Sequence, residues 1–312
     1  MWLQYWKNEY GITISENEEL RSWFKVTNNR KKVWNIHLWL LEELKKICEK
    51  HGINYYADAG ALLWAIRHKW FIPWDDDMDI AMFREDYERF LKIAPKELPN
   101  HIKLRRYYLW FYRLENLNTA ALWFDNLRDE DLVWGIALDI FPMDYASKFS
   151  IINRIKSALL IFLRNILVLK KFNRSISIVT SWKKIFVPLC KFIFYKVDYL
   201  NLYNIRENIA KKVFFKWQKS YNAFCLNLFF PTCIYDKSSE VGFESTSIRI
   251  PDWYDKYLTM RYGDYMKPEI RQWWHNLHYS VSKPYKDIIK AFDKSKSNEE
   301  NYKNCKDLFV LS

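Results

Sequence analysis

Four aspartates fall within five positions, Asp75, Asp76, Asp77 and Asp79, inside the otherwise apolar and aromatic run DAGALLWAIRHKWFIPWDDDMDIAM that spans residues 58–82. Carboxylates this crowded raise one another's pKa, and a bound cation is the usual remedy. The chain therefore has to fold so that something positive reaches them. Pro73 and the poor alternation of Ile72 to Phe83 argue against an amphipathic helix. If Asp77-Met78-Asp79-Ile80 enters a strand, Asp77 and Asp79 share one face, and Asp75 can join them. Two carboxylates roughly 6–7 Å apart along a strand can grip one or two oxygen-seeking cations. All-oxygen donors suit Mg²⁺ or Mn²⁺ rather than Zn²⁺. The competing reading is a solvated acidic turn that precedes a strand.

The flanks are consistent with a phosphate site. Ile53–Ala57 reads as a strand leading into the small-residue turn Ala59-Gly60-Ala61, and Leu62–His68 as a short helix that opens at that turn. Helix N-termini attract phosphate. Arg67 at the end of this segment suits bidentate phosphate contact. His68 could assist, although a lone histidine is more often a structural hydrogen-bonding residue. Trp64, Trp70 and Trp74 could form an aromatic wall for a quaternary ammonium group.

Val33, Ile36, Leu40, Leu44 and Ile47 recur at helical spacing before Gly52, which predicts a helix over about 30–50. Residues 84–93 read as a surface helix. Ile102–Tyr108, Tyr112–Leu114, Ala120–Phe124 and 137–141 read as strands, and 252–262 as a helix ended by Gly263. The mixture predicts a small mixed sheet with helices packed on it.

The net charge of +12 belongs to one segment: residues 148–220 carry 16 Lys and Arg against 2 acids. On a helix over 150–171, Asn153, Arg154, Ser157, Arg164, Asn165 and Lys171 fall on one side. Ile151, Ile155, Leu159, Phe162, Leu163, Ile166 and Leu169 fall on the other. A second basic, apolar block follows at 183–196. Such a helix suits an anionic membrane surface or an ordinary core contact with a solvated basic face. No nucleic-acid motif accompanies the charge, so nucleic acid is not an expected partner. The five cysteines are scattered without metal spacing, as in a reducing compartment. No signal peptide and no apolar run long enough to span a bilayer are read, so a cytoplasmic, peripheral location is expected.

GALLWAIRHKWFIPWDDDMDIAMFREDYERF resembles the core motif of the LicD family of phosphotransferases, relatives of the fukutin group. Three further pieces resemble that family in order. They are Tyr112-Arg113-Leu114-Glu115-Asn116-Leu117-Asn118-Thr119, the stretch Leu138-Asp139-Ile140-Phe141-Pro142-Met143-Asp144, and the elements Arg249-Ile250-Pro251 and Tyr262-Gly263-Asp264-Tyr265-Met266. The resemblance covers about residues 30–145 and 240–280. It implies an α+β nucleotidyltransferase core, similar to DNA polymerase β, with a mixed sheet and a mainly helical basic insertion. The parts would be 1–147 for the core, 148–238 for the insertion and 239–312 for a C-terminal return to the core.

By the same resemblance, Asp77 and Asp79 are the metal-binding pair and Asp139 the third metal-binding and catalytic acid. The donor-binding turn is Gly60-Ala61, and Arg84 and Arg113 are phosphate candidates beside Arg67, His68 and Trp74. His275 matches a histidine after the C-terminal element. Three positions depart from the family pattern: Ala61 replaces a hydroxyl residue, and Trp64 and Trp70 stand where glycine is usual. The expected reaction moves a phosphorylated alcohol such as phosphocholine from a CDP-linked donor to a hydroxyl of a cell-surface glycan or glycolipid precursor, with Mg²⁺ or Mn²⁺. Transfer of the nucleotide itself and a non-enzymatic, membrane-associated relative remain alternatives.

Overall fold

A computed structural model describes residues 14–15, 17–22, 24–75, 77–107, 111–123, 133–147, 149–171, 196–212, 216–222, 229–267, 277–281, 284–290, 293, 300 and 310–311. The second basic block at 183–196, His275 and three of the cysteines lie wholly or mostly outside them. Cys48 and Cys233 are free thiols.

The chain opens with a small hairpin, β1 (Glu19–Arg21) and β2 (Phe24–Val26). It then enters the long helix α1 (Asn28–His51), capped by the Thr27 side chain on the Arg30 N–H and stopped by left-handed Gly52. The expected apolar stripe of α1 is the core stripe: Val33, Ile36, Leu40, Leu44 and Ile47 are all buried. Next come β3 (Tyr56–Ala57), α2 (Ala59–Leu63) with a π-helical turn over Trp64–His68, β4 (Asp79–Phe83) and α3 (Arg84–Glu97). The middle of the chain supplies β5 (Ile102–Arg106), β6 (Tyr112–Asn116), β7 (Ala120–Trp123), β8 (Val133–Trp134) and β9 (Ala137–Ser147). The helices α4 (Ser150–Lys171) and α5 (Tyr199–Lys211) follow, then β10 (Lys216–Asn222) and β11 (Phe229–Pro231). The hairpin β12 (Ser238–Phe243) and β13 (Thr246–Pro251) leads to α6 (Tyr254–Tyr262), β14 (Leu277–Ser280), α7 (Tyr285–Lys290) and β15 (Val310–Leu311).

The fold is α+β. A seven-stranded mixed sheet runs β11-β10-β9-β4-β3, with β6 also on β9 and β5 on β6. Only β4 and β9 pair in parallel within it. Met78, Ile80, Met82, Leu138 and Ile140 are fully buried and fill the space between the sheet and its helices. The last strands of the 148–238 stretch, β10 and β11, extend this central sheet, so that stretch is helical only over part of its length.

The first turns of helix α4 depart from its sequence reading, whereas Leu163 and Ile166 are buried as expected. Asn153 and Ser157 are buried, whereas Ile151 and Ile155 are each 62% exposed and Leu159 40%. The cause is local. Asn153 Oδ1 accepts from the Ser147 N–H at 2.7 Å, and its Nδ2 donates to the Ser147 carbonyl at 2.8 Å. That pair pins the start of α4 to the end of β9. Leu163, Ile166 and Leu167 then meet Leu202 and Tyr203 of α5 in a small second core.

Candidate active site

Four strand ends meet at one edge of the sheet. Asp79 opens β4 and stands in register with Asp139 on the parallel neighbour β9. Register partners project to the same side of a sheet, so the two carboxylates face the same space across adjacent strands. Arg113 on β6 is in register with Asp139 from the other side. The turn after β3 carries Asp58, Ala59 and Gly60 to the same edge, and the Asp58 N–H donates to the Asp79 carbonyl at 3.0 Å. The expectation that Asp77 and Asp79 lead into a strand holds, with β4 beginning at Asp79 itself.

The electrostatics are dominated by like charge. Burial first, then the carboxylates of Asp77, Asp139, Asp58 and Asp75, push the Asp79 carboxyl well above its ordinary range. Asp75 is held by its surroundings: its carbonyl accepts from Arg30 Nη1 and Trp34 Nε1, each at 3.2 Å, and its Oδ2 accepts from Trp64 Nε1 at 2.8 Å. Gly60 passes so close that a Cβ there would lie 3.2 Å from Asp75 Oδ2. The donor chemistry fits a hard divalent cation, because Asp58, Asp75, Asp77, Asp79 and Asp139 bring oxygen donors together and burial penalises their shared negative charge. Asp77 and Asp79 are the pair that would hold it. No group of three metal-ligating side chains is assembled among the described residues. Asp139 is already engaged: Arg113 grips both of its oxygens, Nε to Oδ1 at 2.9 Å and Nη2 to Oδ2 at 3.0 Å.

The arginines divide. Arg84, expected at the donor phosphates, is instead structural. It forks onto Asp144, Nε to Oδ1 at 2.7 Å and Nη2 to Oδ2 at 2.6 Å, and its Nη1 reaches Glu207 at 3.0 Å. These partners fasten α3 to β9 and α5, and they hold the guanidinium above its ordinary pKa despite burial. Arg113 is likewise engaged, with Asp139 at its fork and the Tyr107 ring 3.8 Å from its Cζ. Arg67 differs. It donates to His68 Nε2 at 2.9 Å and to the Tyr265 carbonyl at 2.9 Å. No described carboxylate forms an ion pair with it, and burial draws its pKa down. Its partners are His68 and the Tyr265 carbonyl rather than the acids of the strand ends.

The tryptophans do not form a wall. Trp64 is fully buried, 5.0 Å from the Phe71 ring and stacked on Phe243, with its N–H spent on Asp75. Trp74 packs edge-on to Phe24. Trp70 is partly exposed beside His68 and under the Arg21 guanidinium. Trp64 thus anchors the acidic loop from inside.

Two participants escaped the sequence reading. Asp58 is buried at the head of α2, and Tyr257 of α6 donates its hydroxyl proton to Asp58 Oδ1 across 199 residues. Nothing local marks Tyr257, since its neighbours read as an ordinary helix.

Residues 52–153 match the family described as LicD/FKTN/FKRP, nucleotidyltransferase domain. That span holds Asp58, Gly60, Asp77, Asp79, Arg113 and Asp139. The lipopolysaccharide cholinephosphotransferase LicD of Haemophilus influenzae is 29% identical over 259 residues, covering 76% of this chain and 92% of that protein. The ribitol 5-phosphate transferase FKRP of Homo sapiens is 23% identical over 124 residues, 32% of this chain and 25% of that protein. An uncharacterized protein of Rickettsia typhi is 38% identical over 72 residues, 22% of this chain and 23% of that protein. The acidic strand ends thus lie inside the matched LicD/FKTN/FKRP domain, and the chain is similar to a LicD phosphotransferase along most of its length.

Proposed function

We propose that the chain is a metal-dependent transferase. It moves a phosphorylated alcohol, phosphocholine in the first instance, from a CDP-linked donor to a hydroxyl of a cell-surface glycan or glycolipid precursor. The observation that carries this reading is the in-register pair Asp79 and Asp139, with the Asp77 carboxylate close enough to act on Asp79. The likeness to a lipopolysaccharide cholinephosphotransferase over 92% of its length supports the donor alcohol and the acceptor class. The strand arrangement supports a nucleotidyltransferase-type core.

Phosphoryl transfer asks a protein for positioning and charge stabilisation more than for covalent chemistry. Asp77 and Asp79 would hold Mg²⁺ or Mn²⁺, which would supply positive charge against the donor diphosphate. Arg67 binds a donor phosphate oxygen, and the backbone of Gly60-Ala61 lines the same turn. His68 keeps Arg67 in place by accepting its Nε–H, which requires the neutral imidazole. Asp139 orients or deprotonates the acceptor hydroxyl, and Arg113 sets the direction of its carboxylate. Asp139 completes a second metal position only if Arg113 releases it. We place the reaction at the cytoplasmic face of the membrane, with α4 and its basic surroundings as the peripheral contact.

The test is product analysis with CDP-choline and a glycolipid acceptor. Release of CMP with phosphocholine on the acceptor is expected in Mg²⁺, and none in excess EDTA. Asp79→Asn should abolish release while the protein stays folded, with a metal-free melting temperature at or above wild type, because it removes one of the crowded charges. A nucleotidylated acceptor would move the reading to nucleotidyl transfer. Full turnover in EDTA would end the metal assignment.

A further inference from the structure

Ala59 carries a side chain in a left-handed conformation, φ 46°, at the head of the turn that the proposed reaction depends on. Side chains disfavour that region, and a residue held there needs surroundings that impose it. The Tyr257 hydroxyl supplies them. It accepts from the Ala59 N–H at 3.3 Å and from Arg261 Nη1 at 3.2 Å, and it donates to Asp58 Oδ1. One donor and two acceptor sites are all a phenol offers, so the hydroxyl is fully used. The ring is rigidly set as well: it is fully buried and stacked on Phe230 with centroids 4.6 Å apart.

We propose that Tyr257 is a positioning residue, whose hydroxyl holds Asp58 and left-handed Ala59 so that the turn and Asp79 keep their relation. The proposal rests on the transferase reading for its consequence in catalysis, though not for its geometry. The relation it protects is visible in two bonds. The Asp58 N–H donates to the Asp79 carbonyl at 3.0 Å, and the Leu62 N–H donates to the Asp58 carbonyl at 3.2 Å. A shift at Asp58 and Ala59 therefore moves both the first residue of β4 and the first turn of α2. Asp58 occupies the N-cap position of α2, yet its side chain makes no capping bond. Its carboxylate is turned to Tyr257 instead. Arg261 stands behind the same hydroxyl and supplies positive charge to the buried Asp58. Tyr257 and Arg261 lie outside the matched family domain, so a C-terminal helix sets the geometry of a site built within residues 52–153.

The experiment compares wild type, Tyr257→Phe and Tyr257→Phe/Ala59→Gly. Phenylalanine keeps the ring on Phe230 and removes only the hydroxyl. Hydrogen exchange of the Ala59 amide should speed up by about tenfold or more in Tyr257→Phe, because its acceptor is gone, while the α1 amides keep their protection. The kcat of that variant should fall about 10- to 100-fold, with the acceptor KM little changed. Glycine takes the left-handed turn unaided, so Ala59→Gly in the same background should restore most of the lost kcat. Unchanged amide exchange in Tyr257→Phe, or a kcat loss that glycine does not recover, would overturn the proposal. If Tyr257→Phe does not fold, the double variant is purified instead, and its failure to fold would equally overturn it. A wild-type protein inactive on CDP-choline would count against the transferase reading alone, because the exchange measurement decides the latch without turnover.

Discussion

Single residues at the acidic edge have roles set by what already touches them. Asp139 and Arg113 show this most plainly. The Asp139 carboxylate is forked by a buried arginine, so its direction is fixed within the fold itself. Their register could not be known from the sequence, because β7 and β8 come between β6 and β9 in the chain and belong to a different sheet. The entry of Asp77 and Asp79 into a strand, by contrast, was legible from the sequence, and β4 begins at Asp79. His68 was legible as a choice between assisting and structural, and the geometry favours support of Arg67. Its Nε2 accepts a hydrogen bond from Arg67, and burial followed by the nearby guanidinium draws its pKa down from 6.5 to about 4. The sign follows directly. Between those two values the unfolded chain takes up a proton that the folded chain refuses, so this contribution to stability is intact above about 6.5 and is lost as pH falls towards 4. Denaturant melts at pH 7, 5.5 and 4.5 should show wild type losing more stability than His68→Gln over that interval, since glutamine has no proton to gain. Equal losses would mean that His68 titrates normally.

At the level of elements, periodicity located most helices and strands but could not orient all of them. α1 was readable because its apolar residues form one stripe. α4 was not, because Ile, Leu and Phe occupy nearly every turn, and the choice of buried face fell to a side-chain bond between Asn153 and Ser147. The junction of β6 with β9 shows a second limit. The Asn116 to Thr119 stretch reads as a family motif, and the fold gives it a structural task. The Thr119 hydroxyl donates to the Asn116 carbonyl and accepts from the Ile136 N–H, each at 2.8 Å. Gly135 lies against this turn so tightly that a Cβ would come within 1.9 Å of the Asn116 carbonyl oxygen. Neither atom belongs to a flexible side-chain end, so the clash cannot be relieved by a rotamer change. Gly135→Ala should therefore cost about 3 kcal/mol or more, above the usual range for an extra methyl in a packed core. The thermal midpoint should fall by several degrees on the scale of about 2–4 °C per kcal/mol for larger domains. A midpoint unchanged from wild type would show that the two backbones separate easily.

For the molecule as a whole, charge and exposed apolar surface converge on one region. Residues 148–220 hold a net charge of +14, and within them α4 turns Ile151, Ile155 and Leu159 outward around Arg154. Leu200 and Ile205 of α5 are exposed as well. Among the described residues no helix is long and apolar enough to cross a membrane. An exposed apolar stripe beside exposed Arg154 suits the headgroup region of an anionic bilayer, where the stripe inserts and basic side chains stay at the phosphates. Each Lys or Arg near such a surface contributes about 1 kcal/mol, screened by salt, and the stripe adds a contribution that salt leaves alone. Not every basic residue here is available. Lys156 donates to the carbonyls of Ala210 and Lys212 at 2.6 and 3.0 Å and belongs to the packing of α4 on α5. The charge variant should therefore be Arg154→Glu/Lys170→Glu/Lys171→Glu, and the stripe variant Ile151→Ser/Ile155→Ser/Leu159→Ser. Co-sedimentation should show wild type on anionic vesicles at low salt and much less on neutral ones. The charge variant should lose the salt-sensitive part of binding and the stripe variant the residue that survives high salt. Both should keep turnover on a soluble acceptor, because the acidic edge draws none of its side chains from α4. Wild type that ignores anionic vesicles at low salt would leave α4 a contact for the acceptor or for a second protein, and the membrane placement would fall.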